Sequence, residues 1–204
     1  MAPGVAGSDD PARRRTLTPP VDRGDQPLTL LDACAVVNLY ATRAMGPILA
    51  TIDGPVAIVD VVAHEAQYVF RGGDGEDARE RVPVALQPFI DGSLLEIVSS
   101  DDEAELLTFV DLSQDIGEGE AMTAALAIHR GCIVVTDDRK ASRVMLDRGV
   151  KLRTSPELIR VWSQRSRIPE SVLLAALIDL RQRGRYEPPR SHPLRDWWDE
   201  IMGP

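Results

Sequence analysis

The sequence predicts an α/β fold: a parallel sheet flanked by helices, Rossmann-like in its alternation, with a helical extension at the C-terminus. Three observations carry this prediction. Four short apolar runs alternate with helical patterns, which is typical of a parallel sheet covered on both faces. Beyond residue 153 the pattern is helical only. Hydrophobic residues make up 44% of the chain but aromatic ones only 4%, so the core must consist mainly of aliphatic side chains.

The apolar runs predict four strands, at residues 28–31, 56–59, 94–98 and 132–135. Helical patterns fill the intervals, at residues 33–43, 61–70, 76–90, 103–112, 117–130 and 139–148, and a short helix is expected after Gly46. The turn-forming run 71–75 separates the second and third of these helices. This order of elements places a single α/β domain at residues 27–154.

The two ends of the chain differ from this domain. Residues 1–26 are rich in Pro, Gly, Asp and Arg without periodicity, which predicts a disordered tail. Residues 155–204 predict a helical extension packed on the core, with helices at 156–164 and 169–183 forming an αα-hairpin. We expect Trp197 and Trp198 to pack back onto the α/β body, because large aromatic rings gain much from burial.

Charge and composition restrict the class of protein. Residues 1–150 carry 13 Lys and Arg against 25 Asp and Glu, a net charge of −12, whereas residues 151–204 carry 10 against 7, a net of +3. Bulk positive charge therefore cannot be how this chain binds nucleic acid, although bound metal ions would reverse the sign locally. No apolar run reaches 18 residues, so we expect a cytoplasmic protein without a membrane span. Cys34 and Cys132 lie in apolar runs and are expected to be buried free thiols.

Acidic residues recur where the predicted strands end. In an open parallel sheet the binding crevice lies at the carboxyl ends of the strands. Each acidic side chain has an ordinary explanation as a helix cap or a solvated group. Together they repel one another, and a divalent cation would offset that repulsion. The acidic residues are Asp32 after the first strand, Glu65 after the second, Glu118 and Glu120 at the start of the Ala-rich helix, and Asp137 and Asp138 after the fourth.

The donor types favour Mg²⁺ or Mn²⁺, which prefer oxygen ligands. The three histidines (His64, His129 and His192) lie far apart in sequence and do not have zinc-site spacing. The residues directly after Asp32 (Ala33, Cys34 and Ala35) include no glycine, which excludes a P-loop and a dinucleotide-binding turn. Carboxylates holding Mg²⁺ without a nucleotide cradle suit the hydrolysis of a phosphodiester by water.

Four segments in order resemble the motifs of the PIN-domain family. They are 30–39 (LLDACAVVNL), 61–65 (VVAHE), 117–127 (GEGEAMTAALA) and 134–141 (VVTDDRKA), and the resemblance extends over roughly residues 28–153. It implies a metal-dependent endoribonuclease. Many members are toxins neutralised by a small antitoxin protein, and many are dimers. The resemblance therefore implies an RNA substrate, an antitoxin partner and a homodimer. The tail and the C-terminal extension are additional to the minimal toxins. The arginines of the extension are expected either to face the RNA path or a partner or to form a solvated helix face; they are Arg181, Arg183, Arg185 and Arg190.

Matched to these motifs, the expected catalytic residues are Asp32, Glu65, Glu120 and Asp138, and the expected metal ligands are Asp32, Glu120, Asp137 and Asp138. Two choices stay open: Glu118 against Glu120, which point about 200° apart on a helix, and Asp137 against Asp138. Thr136, Arg139 and Lys140 are expected to contact the substrate, and Arg143 lies close to them in sequence.

Two other classes compete with the nuclease. One is a PIN-fold scaffold without catalysis, and the presence of an acid at every motif position disfavours it. The other is a phosphoacceptor receiver domain, which needs a lysine at the end of a late strand. The chain has two lysines, Lys140 and Lys151, and neither has that role evident in the sequence.

Overall fold

The structure is a computed structural model that describes residues 26–65, 67–73 and 75–203. Nearly all of the predicted tail, residues 1–25, lies outside the described residues. The strands are β1 (Thr29–Leu31), β2 (Val56–Val59), β3 (Tyr68–Phe70), β4 (Arg81–Pro83), β5 (Glu96–Val98), β6 (Ile133–Val135) and β7 (Lys151–Arg153). The helices are α1 (Ala33–Ala41), α2 (Met45–Leu49), α3 (Asp60–His64), α4 (Gln87–Asp91), α5 (Glu103–Leu112), α6 (Glu118–Arg130), α7 (Arg139–Asp147), α8 (Ser155–Arg165), α9 (Glu170–Arg183) and α10 (Arg195–Met202).

Five of the strands form one parallel sheet in the order β5-β2-β1-β6-β7. In the centre, Leu30 pairs with Ala57 of β2 and with Val134 of β6. The chain leaves β1 to build β2 on one side and later returns to build β6 on the other. The strand order thus reverses at β1, and this is the point where an open α/β sheet has its crevice. The predicted fold class is confirmed.

The core consists of aliphatic side chains. Leu30, Leu31, Ile58 and Val134 of the central strands are fully buried, and α6 packs its alanine-rich face on β1, β2 and β6. The alanines allow this helix to approach the sheet closely, because only their methyl groups have to fit between the helix and the sheet. Among the described residues, no helix is both long enough and apolar enough to cross a membrane.

Two predicted helices are wrong. The helix expected at 61–70 ends at His64, and Tyr68–Phe70 is strand β3, which pairs antiparallel with β4 through Val69 and Val82. The helix expected at 76–90 is instead a 3₁₀ helix (Glu76–Arg79), strand β4 and the short helix α4. Tyr, Val and Phe favour a pleated strand, and Pro83 would interrupt a helix through this segment. The hairpin projects from the sheet as a separate two-stranded unit.

Strand β7 was not predicted. Its residues Lys151, Leu152 and Arg153 alternate between exposed and half-buried, and it forms the edge of the sheet beside β6. An edge strand of three residues with charged ends has no apolar run that would identify it.

The C-terminal helices pack on the α/β body. Helix α8 contacts α1 and α2, while α9 contacts α1, β3 and α10. Trp162 and Trp198 are buried in the same core as the sheet, and Trp197 is half-buried against it.

Candidate functional site

Asp32 lies at the carboxyl end of β1 and begins α1. Its Oδ1 accepts a hydrogen bond of 2.7 Å from the backbone N–H of Ala35, so it is the N-cap of that helix. The Cys34 thiol donates to the same carboxylate, at 3.0 Å from Sγ to Oδ1. The side chain is fully buried, and burial raises the pKa of Asp32 to about 7. Hydrogen bonds to the carboxylate, of which the one from Thr136 has the largest effect, lower the pKa and so oppose this rise. Burial also raises the pKa of Cys34, and the neighbouring charge of Asp32 adds to that rise.

Asp138 lies after β6 and caps α7. Its Oδ1 accepts from the backbone N–H groups of Lys140 and Ala141, at 2.7 Å each. Thr136 joins this acid to Asp32, since its Oγ1 accepts from the Asp138 N–H at 3.1 Å and its hydroxyl hydrogen-bonds the Asp32 carboxylate. The hydroxyl of Thr136, expected to contact the substrate, is therefore buried between two acids.

Asp137 binds three other parts of the chain. Its Oδ2 accepts from Asn38 Nδ2 of α1 at 2.8 Å, and its Oδ1 accepts from the Ser155 N–H at the start of α8 at 3.0 Å. Tyr186 also hydrogen-bonds this carboxylate, and burial, followed by the charge of Asp137, raises the pKa of that phenol. Asp137 thereby ties the sheet to the C-terminal extension.

A second acidic group surrounds the start of α6. Glu65 follows α3, and burial raises its pKa, with further contributions from Glu120 and then Glu118. Glu120 is half-buried and its Oε2 accepts from the Gly117 N–H at 2.9 Å, whereas Glu118 is exposed. Gly119, which separates Glu118 from Glu120 in the chain, is buried. A Cβ at this position would lie 2.9 Å from Val62 Cγ2 and collide with Glu65 Oε1. Glu65 can approach α6 only because residue 119 has no side chain.

An open pocket of about 490 Å³ lies between these groups. Its acidic side is formed by Glu65, Asp137 and Asp138. Residues of β3, the end of α9 and the segment that follows α9 also line it. The aromatic and basic lining residues are Tyr68, Phe70, Tyr186, Arg183 and Arg185. Within the described part of the chain, Asp32, Glu118 and Glu120 do not line this pocket; Asp32 lies beneath the lining residue Cys34.

A second pocket, of about 500 Å³, shares Asp137 and Tyr186 with the first. It is lined by Thr136, Arg139 and Arg143, which the sequence had associated with substrate. Lys140 is exposed and lies outside the lining of both pockets in the described residues.

The donors suit a hard divalent cation, because the predicted ligands are all carboxylate oxygens. Their arrangement is divided, with Asp32, Asp137 and Asp138 in one group and Glu65, Glu118 and Glu120 in the other. Across residues 26–65, 67–73 and 75–203, no three His, Cys, Asp or Glu side chains lie close enough together to hold one ion.

Sequence reasoning did not single out several residues of this site. Asn38 carried a usable signal, because an asparagine within the apolar run of α1, four residues after Cys34, requires a buried partner. Arg183 and Arg185 were among the arginines expected either to face the RNA path or a partner or to form a solvated helix face, whereas Tyr186 had no signal because its segment carries no motif.

The family model for the PIN domain matches residues 29–145, more than half of the chain. The protein therefore belongs to the PIN-domain family, whose members are generally nucleases and typically use divalent metals. A comparison with curated proteins finds no match.

Proposed function

We propose that this protein is an endoribonuclease of the cytoplasm that hydrolyses RNA phosphodiester bonds with Mg²⁺ or Mn²⁺. The observation that carries the proposal is the pocket at the strand-order reversal, with Glu65, Asp137 and Asp138 on its wall and Asp32 directly beneath. An acidic wall at that edge of the sheet suits a cation-assisted reaction on a phosphate.

Asp32, Glu65, Glu120 and Asp138 are the proposed catalytic residues. Both bonds that Asp138 accepts as a cap go to Oδ1, and no other described residue donates to its Oδ2. Each oxygen of Asp137 already accepts from a protein donor. We therefore assign Asp138 as the ligand and Asp137 as the residue that positions the surrounding elements. A bound divalent cation supplies Lewis acidity and lowers the pKa of water.

The test is cleavage of a labelled single-stranded RNA in Mn²⁺ by wild type and Asp32→Asn. We expect the variant to lose more than about 100-fold in rate, as losses of metal-site residues do. Its melting temperature in EDTA should be equal or higher, because Asp137 no longer faces a second charge. Asp91→Asn, an exposed acid on α4, is the control and should cleave normally. Cleavage by Asp32→Asn at the wild-type rate would contradict the site.

The alternative is a PIN-fold scaffold without catalysis, and one observation favours it: among the described residues, no three His, Cys, Asp or Glu side chains lie close enough together to hold one ion. The same assay separates the two functions. A scaffold would show no Mn²⁺-dependent cleavage with any RNA, whereas the nuclease loses cleavage only with EDTA or with the site variants.

We further propose that the protein is the toxin of a toxin–antitoxin pair and forms a homodimer. The support for a dimer is a set of exposed apolar side chains: Leu107 is 65% and Val110 58% exposed on α5, and Ile97 is 49% exposed on the edge strand β5. Co-expression with any small reading frame next to this gene tests the antitoxin. Light scattering of wild type against Leu107→Glu tests the dimer, and an unchanged mass would contradict this interface.

A further inference from the structure

Residues 183–186, here called the basic wall, line the pocket together with its acids. They comprise the last residue of α9 and the three residues after it, and they lie outside the part of the chain that matches the family model. Arg183, Arg185 and Tyr186 line the same pocket as Glu65 and Asp138. The pocket therefore combines acids of the α/β core with basic side chains of the C-terminal extension.

The position of the basic wall is fixed by close contacts. A Cβ on Gly184 would lie 3.1 Å from Ala41 Cβ and 2.9 Å from the Leu180 carbonyl oxygen, so the glycine allows the chain to approach α1. Arg183 is buried and donates to the carbonyl oxygens of Ala41 at 3.0 Å and Phe70 at 3.3 Å. These contacts hold the basic wall against both α1 and β3.

Arg185 has an unfavourable backbone conformation. Its φ of 55° lies in the left-handed region, which costs energy for a residue with a side chain. Arg43, Ser93 and Arg167 have the same left-handed conformation, and each of these residues directly follows the C-cap of a helix, as Arg185 does. At this place the left-handed conformation ends the helix, and here it sets the direction in which the chain leaves α9.

The guanidinium of Arg185 lies over the ring of Phe70, with its Cζ 4.7 Å from the ring centroid. Tyr68 and Phe70 are two residues apart on β3, and their rings meet edge to face at 5.6 Å. Among the described residues, no carboxylate pairs with Arg183 or Arg185. Arg183 is buried and bonded to two backbone carbonyls, whereas Arg185 is exposed and can contact an anion that enters the pocket.

We propose that the basic wall, with Tyr68 and Phe70, binds an unpaired nucleotide of single-stranded RNA. The phosphate contacts Arg185, and the base stacks on the surface that Arg185 and the aromatic rings form. Guanidinium planes and aromatic rings are the surfaces on which unpaired bases stack, whereas in a duplex the neighbouring bases occupy both faces. This inference rests on the proposed ribonuclease function, and it names residues outside the family domain that hold the substrate.

The test measures binding separately from cleavage. Fluorescence anisotropy in EDTA gives the dissociation constant of a labelled single-stranded RNA of about ten nucleotides, a length typical of such sites. The proteins are full-length wild type, Arg185→Gln, Arg185→Gly and the control Arg181→Gln, an exposed arginine of α9 outside the pocket. Arg185→Gly removes the charge but relieves the left-handed strain, so it should melt at the same or a higher temperature.

We expect both Arg185 variants to bind about tenfold more weakly, while Arg181→Gln binds as wild type does. The slope of log affinity against log salt should fall by about 0.7, the value of one phosphate contact on a single strand. A self-complementary duplex should bind more weakly than the single strand. Equal binding by wild type and Arg185→Gln, or equal binding of duplex and single strand, would overturn the inference.

These experiments distinguish a failure of this inference from a failure of the proposed nuclease function. If the wild type binds single strands through Arg185 but never cleaves RNA in Mn²⁺, the nuclease proposal fails and this inference stands. If Arg185→Gln cleaves with an unchanged KM, the inference fails and the nuclease stands.

Discussion

Asp137 and Asp138 are adjacent in the chain but connect different parts of the molecule. Asp138 caps α7 through one oxygen, whereas Asp137 uses both oxygens to hold α1 and α8 and also hydrogen-bonds Tyr186. Two neighbouring carboxylates can thus differ in role because the backbone directs them to different partners. The sequence alone left this choice open, since either acid follows the strand.

Exchanging each acid for its amide separates the two roles. Asp138→Asn should abolish Mn²⁺-dependent cleavage with little change in melting temperature, because an asparagine still caps a helix. Asp137→Asn should lower the free energy of unfolding by about 1–3 kcal/mol, since its amide nitrogen cannot accept the bonds that the carboxylate accepts. Cleavage assays and urea denaturation measure the two effects. The opposite pattern would reverse the assignment.

Glu120 and Glu118 allow a similar comparison on α6. Glu120→Gln should reduce cleavage far more than Glu118→Gln, because Glu120 is half-buried and acts more strongly on Glu65. Both variants replace one carboxylate by an amide, at positions two residues apart in the same turn of the helix, so each serves as the control for the other. Equal losses in kcat, or a larger loss for Glu118→Gln, would show that the other face of the helix forms the site.

At the level of the element, helices and strands were predicted correctly from the sequence where one local pattern identified them. The four core strands are apolar runs between helices, and the acids follow their ends; both properties are local. The β3–β4 hairpin was missed because Tyr68–Phe70 continues the apolar pattern of α3, and only pairing with a strand 13 residues later distinguishes strand from helix there. Asn38 with Asp137, and Tyr186 with Asp137, are contacts between distant segments, which no local pattern specifies.

Helices α5 and α6 are joined by an ion pair that gives a pH-dependent stability. Arg130 donates to both oxygens of the buried Glu105, with each distance 2.7 Å. This bond holds the pKa of Glu105 below its ordinary value of 4.5. The stabilisation is therefore present above pH 4.5 and is lost as the pH falls through the lower pKa of the folded state.

Glu105→Gln should lower the free energy of unfolding by about 2 kcal/mol at pH 7, below the usual cost of breaking a buried pair because Arg130 is 36% exposed. The difference from wild type should shrink as the pH falls below about 4.5. Urea denaturation at a series of pH values measures it. Glu103→Gln, exposed on the same helix, should show no comparable loss. A difference that is constant with pH would exclude this ion pair as its origin.

At the level of the whole molecule, the C-terminal extension shares its core with the α/β domain. Trp162 and Trp198 are buried with the sheet residues, and Leu177 and Leu180 of α9 are fully buried. The extension also places two positive charges, those of Arg183 and Arg185, in the lining of the acidic pocket.

Deletion of residues 155–204 should leave a destabilised and poorly soluble protein, because it removes these anchors and exposes the core beneath them. Loss of one buried tryptophan alone typically costs about 3–5 kcal/mol. The measurements are soluble yield, melting temperature and RNA cleavage. Trp198→Ala is a milder variant that should still fold but melt earlier. A truncated protein that stays soluble, melts at the same temperature and cleaves normally would make the extension an independent module.

The place where the family match ends has a practical consequence. The match stops at residue 145, inside α7 and before β7. A chain cut there would lack β7, and the apolar strand β6 would become the open edge of the sheet, where identical edges of two molecules can pair and aggregate. A protein that is truncated or fused at that boundary would therefore be prone to aggregation. Junctions for chimeras of this protein belong beyond α10, so that β7, the pocket and the buried Trp198 are all retained.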